Sequence, residues 1–71
     1  MEKFDIIDAI NGQYCTTIAA KNQKSALNKF KSGLLSSGFY WIEKQNGYRY
    51  ALISSFGSEF WCYPHNDIYD L

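Results

Sequence analysis

Apolar positions fall in five short stretches, alternating with polar ones or running unbroken for a few residues, with turn residues between them. Two Asn-Gly pairs punctuate the pattern. Asn11-Gly12 and Asn46-Gly47 both suit the positive φ angles of a type I′ hairpin turn. Their flanks predict a first hairpin with strands over residues 4–10 and 13–20, and a second over 39–45 and 48–55. A turn at Ser55-Phe56-Gly57-Ser58 leads into a strand over 59–63, which Pro64 ends because it has no N–H to donate. Between the hairpins the period lengthens. Ala26, Leu27, Phe30 and Leu34 fall on one arc of a helix over 22–36. Asn22 serves as its N-cap, and Gly33 or Gly38 is free to take a left-handed conformation at its end. The pattern predicts an α+β fold: an antiparallel sheet of about five strands, in chain order ββαβββ, with one helix packed on one face.

Hairpin register then assigns side chains to faces. A two-residue turn at Asn46-Gly47 pairs Gln45 with Tyr48, Glu43 with Tyr50 and Trp41 with Leu52. A two- or four-residue turn around Phe56-Gly57 pairs Ile53 with Phe60, Leu52 with Trp61 and Ala51 with Cys62. A three-residue turn there would exchange the faces of the last strand. On this register Tyr40, Ile42, Ala51, Ile53, Phe60 and Cys62 face the helix, with Lys44 and Arg49 at the end of that face. The other face carries Phe39, Trp41, Tyr48, Tyr50, Leu52, Trp61 and Tyr63, edged by Glu43 and Glu59. One helix covers only one face. The second is therefore expected to be an open surface of large rings, of the residue types that dominate protein interfaces. Cross-strand ring packing alone also enriches strands in aromatics, and Ile68, Tyr69 and Leu71 of the tail are placed to cover part of this face.

Length and composition narrow the class. The chain has 71 residues, which suits one small domain over 1–71 with a short acidic tail at 65–71 that frays. It starts with Met and reads as a complete small protein. Aromatic residues make up 18% and apolar residues 46%, too many for a disordered chain. Net charge is zero, which argues against a generic polyanion binder. No apolar run reaches the ~18 residues of a membrane span, and the first residues lack the apolar core of a signal peptide. Cys15 and Cys62 are too few and too scattered for a disulfide scaffold, so free thiols in a cytoplasmic protein are expected. Charge is nonetheless segregated. Lys21, Lys24, Lys29 and Lys31 sit in and beside the helix with no acid among them, whereas Glu2, Asp5 and Asp8 outnumber Lys3 before it.

Candidate chemistry is sparse. Cys62-x-x-His65 has metal-ligand types, but it is one pair where a zinc site needs two, and Pro64 lies inside it. A Cys-His nucleophile would use the same residues, yet Cys62 points inward and His65 reads as a solvated loop histidine. Glu43 and Glu59 share the aromatic face, where a pair of carboxylates can do acid–base chemistry, but they serve equally as its solubilising rim. Asp5 and Asp8 point to opposite faces. The glycines are isolated turn residues without a phosphate-cradling pattern. No catalytic residue, cofactor or metal is expected. The lysines suggest nucleic acid as an alternative partner, through Lys21, Lys24, Lys29 and Lys31, but they lie across the core from the rings that would stack bases.

In its size, single ββαβββ domain and lack of catalytic residues, the chain resembles the small accessory proteins of phages and mobile elements, which include inhibitors of host defence complexes. The likeness is one of architecture, so it carries no functional residue over. The expectation is a non-catalytic module that binds another protein through Phe39, Trp41, Tyr48, Tyr50, Leu52, Trp61 and Tyr63. The alternatives are a small nucleic-acid-binding module and a structural homo-oligomer that buries the same face against itself. No membrane partner is expected.

Overall fold

A computed structural model describes residues 1–34, 40–45 and 49–66, with the backbone alone at Lys44, Gln45 and Arg49. The elements follow the predicted order: β1 (Glu2–Asp8), β2 (Gln13–Ala20), α1 (Gln23–Ser32), β3 (Tyr40–Gln45), β4 (Arg49–Ser54) and β5 (Glu59–Pro64). The fold is α+β. The strands form one antiparallel sheet in the order β2-β1-β5-β4-β3. The last strand slots between β1 and β4, joining the two hairpins at their inner edges.

The helix carries the chain from one edge strand to the other and touches all five strands on the way. Asn22 caps it as expected, its Oδ1 accepting from the Ser25 amide at 2.8 Å. The helix ends at Ser32, four residues before the predicted end. Gly33 closes it with φ −87°, an ordinary right-handed angle, so of the two glycines offered for a left-handed end Gly33 does not take it. Its amide donates back to the Phe30 carbonyl, and that of Leu34 to Lys31. This tighter final turn uses up carbonyls that an extended helix would otherwise leave unmet. Gly38 and the Ser36-Ser37 stop signal lie outside the described residues.

The core between helix and sheet is built from Phe4, Ile6, Ala20, Ala26, Leu27, Leu52 and Cys62, with Ile18, Phe30, Leu34, Tyr40, Ile42, Tyr50 and Phe60 packed around them. Phe30 meets Phe60 edge-on, with ring centroids 5.0 Å apart.

Both turns of the second half differ by one residue from the predicted register. Gln45 pairs with Arg49 rather than Tyr48, so β3 and β4 are joined by three residues, 46–48, where two were expected. Asn46-Gly47 itself lies outside the described residues. In the next hairpin Ser54 and Ser58 close a three-residue loop: the Ser54 amide donates to the Ser58 carbonyl, and Gly57 sits at φ 88°. Glycine at the third loop position is what a type I turn followed by a left-handed residue requires. Ser54 reinforces the loop by accepting the Phe56 and Ser58 amides on its Oγ.

The two shifts cancel for β5 and leave β4 alone inverted. Tyr50 and Leu52, expected outside, face the helix. Ala51 and Ile53, expected inside, face outward. Leu52 is fully buried between Ile42 and Phe60, a larger apolar payload for the core than Ala51. Ile53 is thereby removed from the helix side, where Phe30 packs.

The first hairpin is also looser than predicted. Asp8 pairs with Gln13, leaving 9–12 as a four-residue loop. The Asp8 carboxylate accepts the Ile10 amide at 3.0 Å, and Asn11 Oδ1 accepts that of Gln13 at 3.2 Å. These two side-chain turns replace the tight Asn-Gly turn and end β1 early. Cys15 is the extra residue of a bulge between the Ile6–Thr16 and Ile7–Tyr14 pairs.

Candidate binding surface

The inverted β4 redraws the second face. Register places Thr17, Asp5 and Tyr63 in one row across it, and Tyr14, Ile7, Trp61, Ala51 and Glu43 in the next. Glu59, Ile53 and Trp41 make a third, nearest the 9–12 and 55–57 loops. The middle of the face is not open. Ile7, Ala51 and Tyr63 have no exposed surface, and Asp5 keeps 2%.

The seven residues expected to form a ring surface therefore separate. Trp41 is 53% exposed on the edge strand β3. Trp61 faces the same way but is half-buried, and its indole N–H donates to the Glu59 carboxylate. Tyr63 is on this face yet fully buried, so it offers no contact area. Tyr50 and Leu52 belong to the helix side, as the β4 inversion requires. Phe39 and Tyr48 lie outside the described residues, as do Ile68, Tyr69 and Leu71.

Four exposed apolar residues were missed by the face assignment: Met1 at 91%, before β1, and Ile10 at 68%, Tyr14 at 58% and Phe56 at 67%. Ile10, Phe56 and Trp41 belong to the loop end of the sheet, and Tyr14 lies one row in, its hydroxyl turned back to Thr17. Ile10 and Phe56 stand in the 9–12 and 55–57 loops and border one open hollow with Asp8, Asn11, Gly57 and Ser58. The loops are neighbours because the Ala9 amide donates to the Glu59 carbonyl. Tyr14 follows the first loop, and Trp41 pairs with Ile53 just before the second. A large apolar residue beside turn residues, as in Ile10-Asn11-Gly12 and Ser55-Phe56-Gly57, is the sequence signal that marks such loop tips.

Polar groups on this face are organised around Asp5. Its buried carboxylate accepts from Thr17 Oγ1 at 2.7 Å, pairs with His65 Nδ1 at 2.8 Å, and lies 3.4 Å from the Asn66 amide. Tyr14 hydroxyl joins the chain at Thr17, 2.7 Å away. His65, read from the sequence as a solvated loop histidine, is exposed and is also held by a carboxylate. The contact, with Asn66 at φ 65°, fixes the chain where it leaves β5.

Cys62 and His65 do not meet. Cys62 lies in the core under the helix, and His65 bonds to Asp5 on the other face. Burial pushes the Cys62 thiol up to about 12, with the Asp5 charge adding to the effect, so it is a poor nucleophile and a poor metal ligand. Cys15 is exposed, and its thiol is also raised, first by partial burial and then by the nearby Asp8 charge. Glu43 and Glu59 sit diagonally in different rows, roughly 12 Å apart at Cα from strand spacing and rise.

The lysines in and beside α1 are separate from this face, whereas Lys3 alternates with Phe4 and lies on the outer face beside Asp5, in the row farthest from the loops. Lys29 Nζ donates to the Ala19 carbonyl at 2.7 Å, blunting the free edge of β2. Lys24 and Lys31 lie in the same helix, and Lys21 just before it. Among the described residues no helix is long and apolar enough to cross a membrane. Comparison with protein-family models, with curated proteins and with solved structures finds no match for this chain.

Proposed function

We propose that this protein is a non-catalytic module that binds another protein with the loop end of its sheet. The observation that carries the reading is that Ile10, Trp41 and Phe56, each more than half exposed, stand at the loop end of the sheet, with Tyr14 one row in. Keeping large apolar side chains this exposed forgoes burial that would stabilise a small domain. Exposed large apolar residues grouped near one another mark interaction sites. From Tyr14 on β2 to Trp41 on β3 the sheet spans about 19 Å at the usual strand spacing, the scale of a standard interface.

Trp41 and Phe56 are the anchors, with Ile10 and Tyr14 beside them. Trp61 serves indirectly, by holding Glu59. A binder of this type acts by occluding a surface on its partner, as an accessory inhibitor from a phage or mobile element would. Cytoplasmic residence fits two cysteines kept as thiols, one of them in the core.

The test is capture from lysate by immobilised protein, compared between the native chain and Trp41→Ala with Phe56→Ser. Anchors of this class cost at least ~2 kcal/mol each when truncated, so affinity for a partner held by the native chain should fall by about a hundredfold or more. Changing Lys24, Lys29 and Lys31 to Gln should leave capture intact. Loss with the lysine variant instead, together with steep salt dependence, would replace this reading with nucleic-acid binding. A concentration-dependent mass abolished by the Trp41 and Phe56 changes would replace it with self-association.

A further inference from the structure

Resting on that reading, we infer that the partner presents an arginine side chain to Trp41, between Glu43 and Glu59. Trp41 has two acidic neighbours on its own face. Glu43 is the next outward residue along β3, roughly 7 Å away, and Glu59 shares its cross-strand row two strands over, roughly 10 Å away. The half-buried Ile53 lies between Trp41 and Glu59 as an apolar floor. Glu43 is exposed, with no hydrogen bond or ion pair among the described residues. The Trp61 indole holds Glu59 by one carboxylate oxygen, Oε2, which fixes the group in place and leaves its other oxygen able to accept.

No described cationic side chain serves these acids. Lys3 is at the far end of β1, and Lys21, Lys24, Lys29 and Lys31 belong to the helix side. Arg49 begins β4 on the outer face, diagonal to Glu43 and two rows away from Trp41, with only its backbone described. An exposed indole flanked by two carboxylates is complementary to a cation that is flat, weakly hydrated and able to donate at its edges. Guanidinium stacks on an indole while its N–H groups reach carboxylates, whereas ammonium is a compact, strongly hydrated charge. Arginine is also enriched at interface hot spots, where lysine is depleted.

The experiment is a titration of the full chain with capped tetra-arginine, followed by two-dimensional amide and indole NMR. The two indole N–H signals report Trp41 and Trp61 separately. The expected result is a saturable shift centred on the Trp41 indole and the amides of Glu43, Ile53 and Glu59, weaker with tetra-lysine and absent with tetra-glutamate. Glu43→Gln with Glu59→Gln should weaken tetra-arginine binding about tenfold or more, because both carboxylate charges facing the guanidinium are removed. Gln at 59 still offers an acceptor to the Trp61 indole, so the fold is kept and the spectrum verifies it. Shifts confined to other acids, or an unchanged affinity in the double variant, would overturn the inference. If Trp41→Ala with Phe56→Ser abolishes partner capture while Glu43→Gln with Glu59→Gln leaves it whole, protein binding stands and recognition of arginine falls.

Discussion

Asp5 shows how much one buried carboxylate can organise. It sits in the middle of a sheet face, 2% exposed, and its oxygens tie β1 to Thr17 on β2 and to His65 and Asn66 beyond β5. Removing it leaves several partners without an acceptor. Asp5→Ala should therefore cost about 2–3 kcal/mol in a urea melt, more than loss of a single hydrogen bond. Cys62 makes a second residue-scale prediction. Its thiol is raised from 9.0 to about 12 in the folded chain. The folded state then holds its proton where the unfolded state has released it. Below pH ~9 this has no effect on stability. Above it, stability falls as pH rises toward 12, by up to ~1.4 kcal/mol per pH unit. The slope of stability against pH between 9 and 11 should be shallower in Cys62→Ala than in the native chain. Equal slopes would show that Cys62 is not held as a buried thiol.

At the scale of elements, the hairpins decide which side chains the core receives. Leu52→Ala should cost about 3 kcal/mol or more, because Leu52 is wholly buried between Ile42 and Phe60. Ile53→Ala, on the half-buried outer row, should cost clearly less. The opposite ranking in denaturant melts would restore the register that a two-residue Asn46-Gly47 turn implies. Gly57→Ala meets open space but must adopt φ 88°, so it should destabilise the chain by about 1 kcal/mol through backbone strain alone. The elements themselves were legible in the sequence. Asn22 marked the helix start, Pro64 ended the last strand, and alternation found all five strands. Turn length was not legible. Asn-Gly and Phe-Gly each fit loops of two, three or four residues, and the choice rests on side-chain turns made by Asp8, Asn11 and Ser54 that alternation does not reveal. Because side chains alternate with period two, each single-residue shift reverses a strand. Two shifts restored β5, so Trp41 and Trp61 share the expected face, while Tyr50 and Leu52 moved to the helix side.

At the scale of the whole molecule, insertion of β5 between β1 and β4 gives the sheet its character. The three central strands bury consecutive residues on both faces: Ile6 and Ile7, Ala51 and Leu52, Cys62 and Tyr63. Apolar exposure is thereby displaced from the centre of the sheet to its loop end, where the 9–12 and 55–57 loops stand side by side. That displacement could not be read from strand alternation, which sees faces but not strand order. It separates the chain into a lysine-bearing helix side and an apolar loop end rimmed by Asp8, Glu43 and Glu59. The most direct test of this account is quantitative capture from lysate by three matched proteins: the native chain, Trp41→Ala with Phe56→Ser, and the Lys24, Lys29 and Lys31 to Gln variant, each first shown to melt cooperatively. The account predicts a protein partner retained by the native and lysine-altered chains and lost by the Trp41 and Phe56 variant. A partner retained equally by all three, or lost only with the lysines, would contradict it.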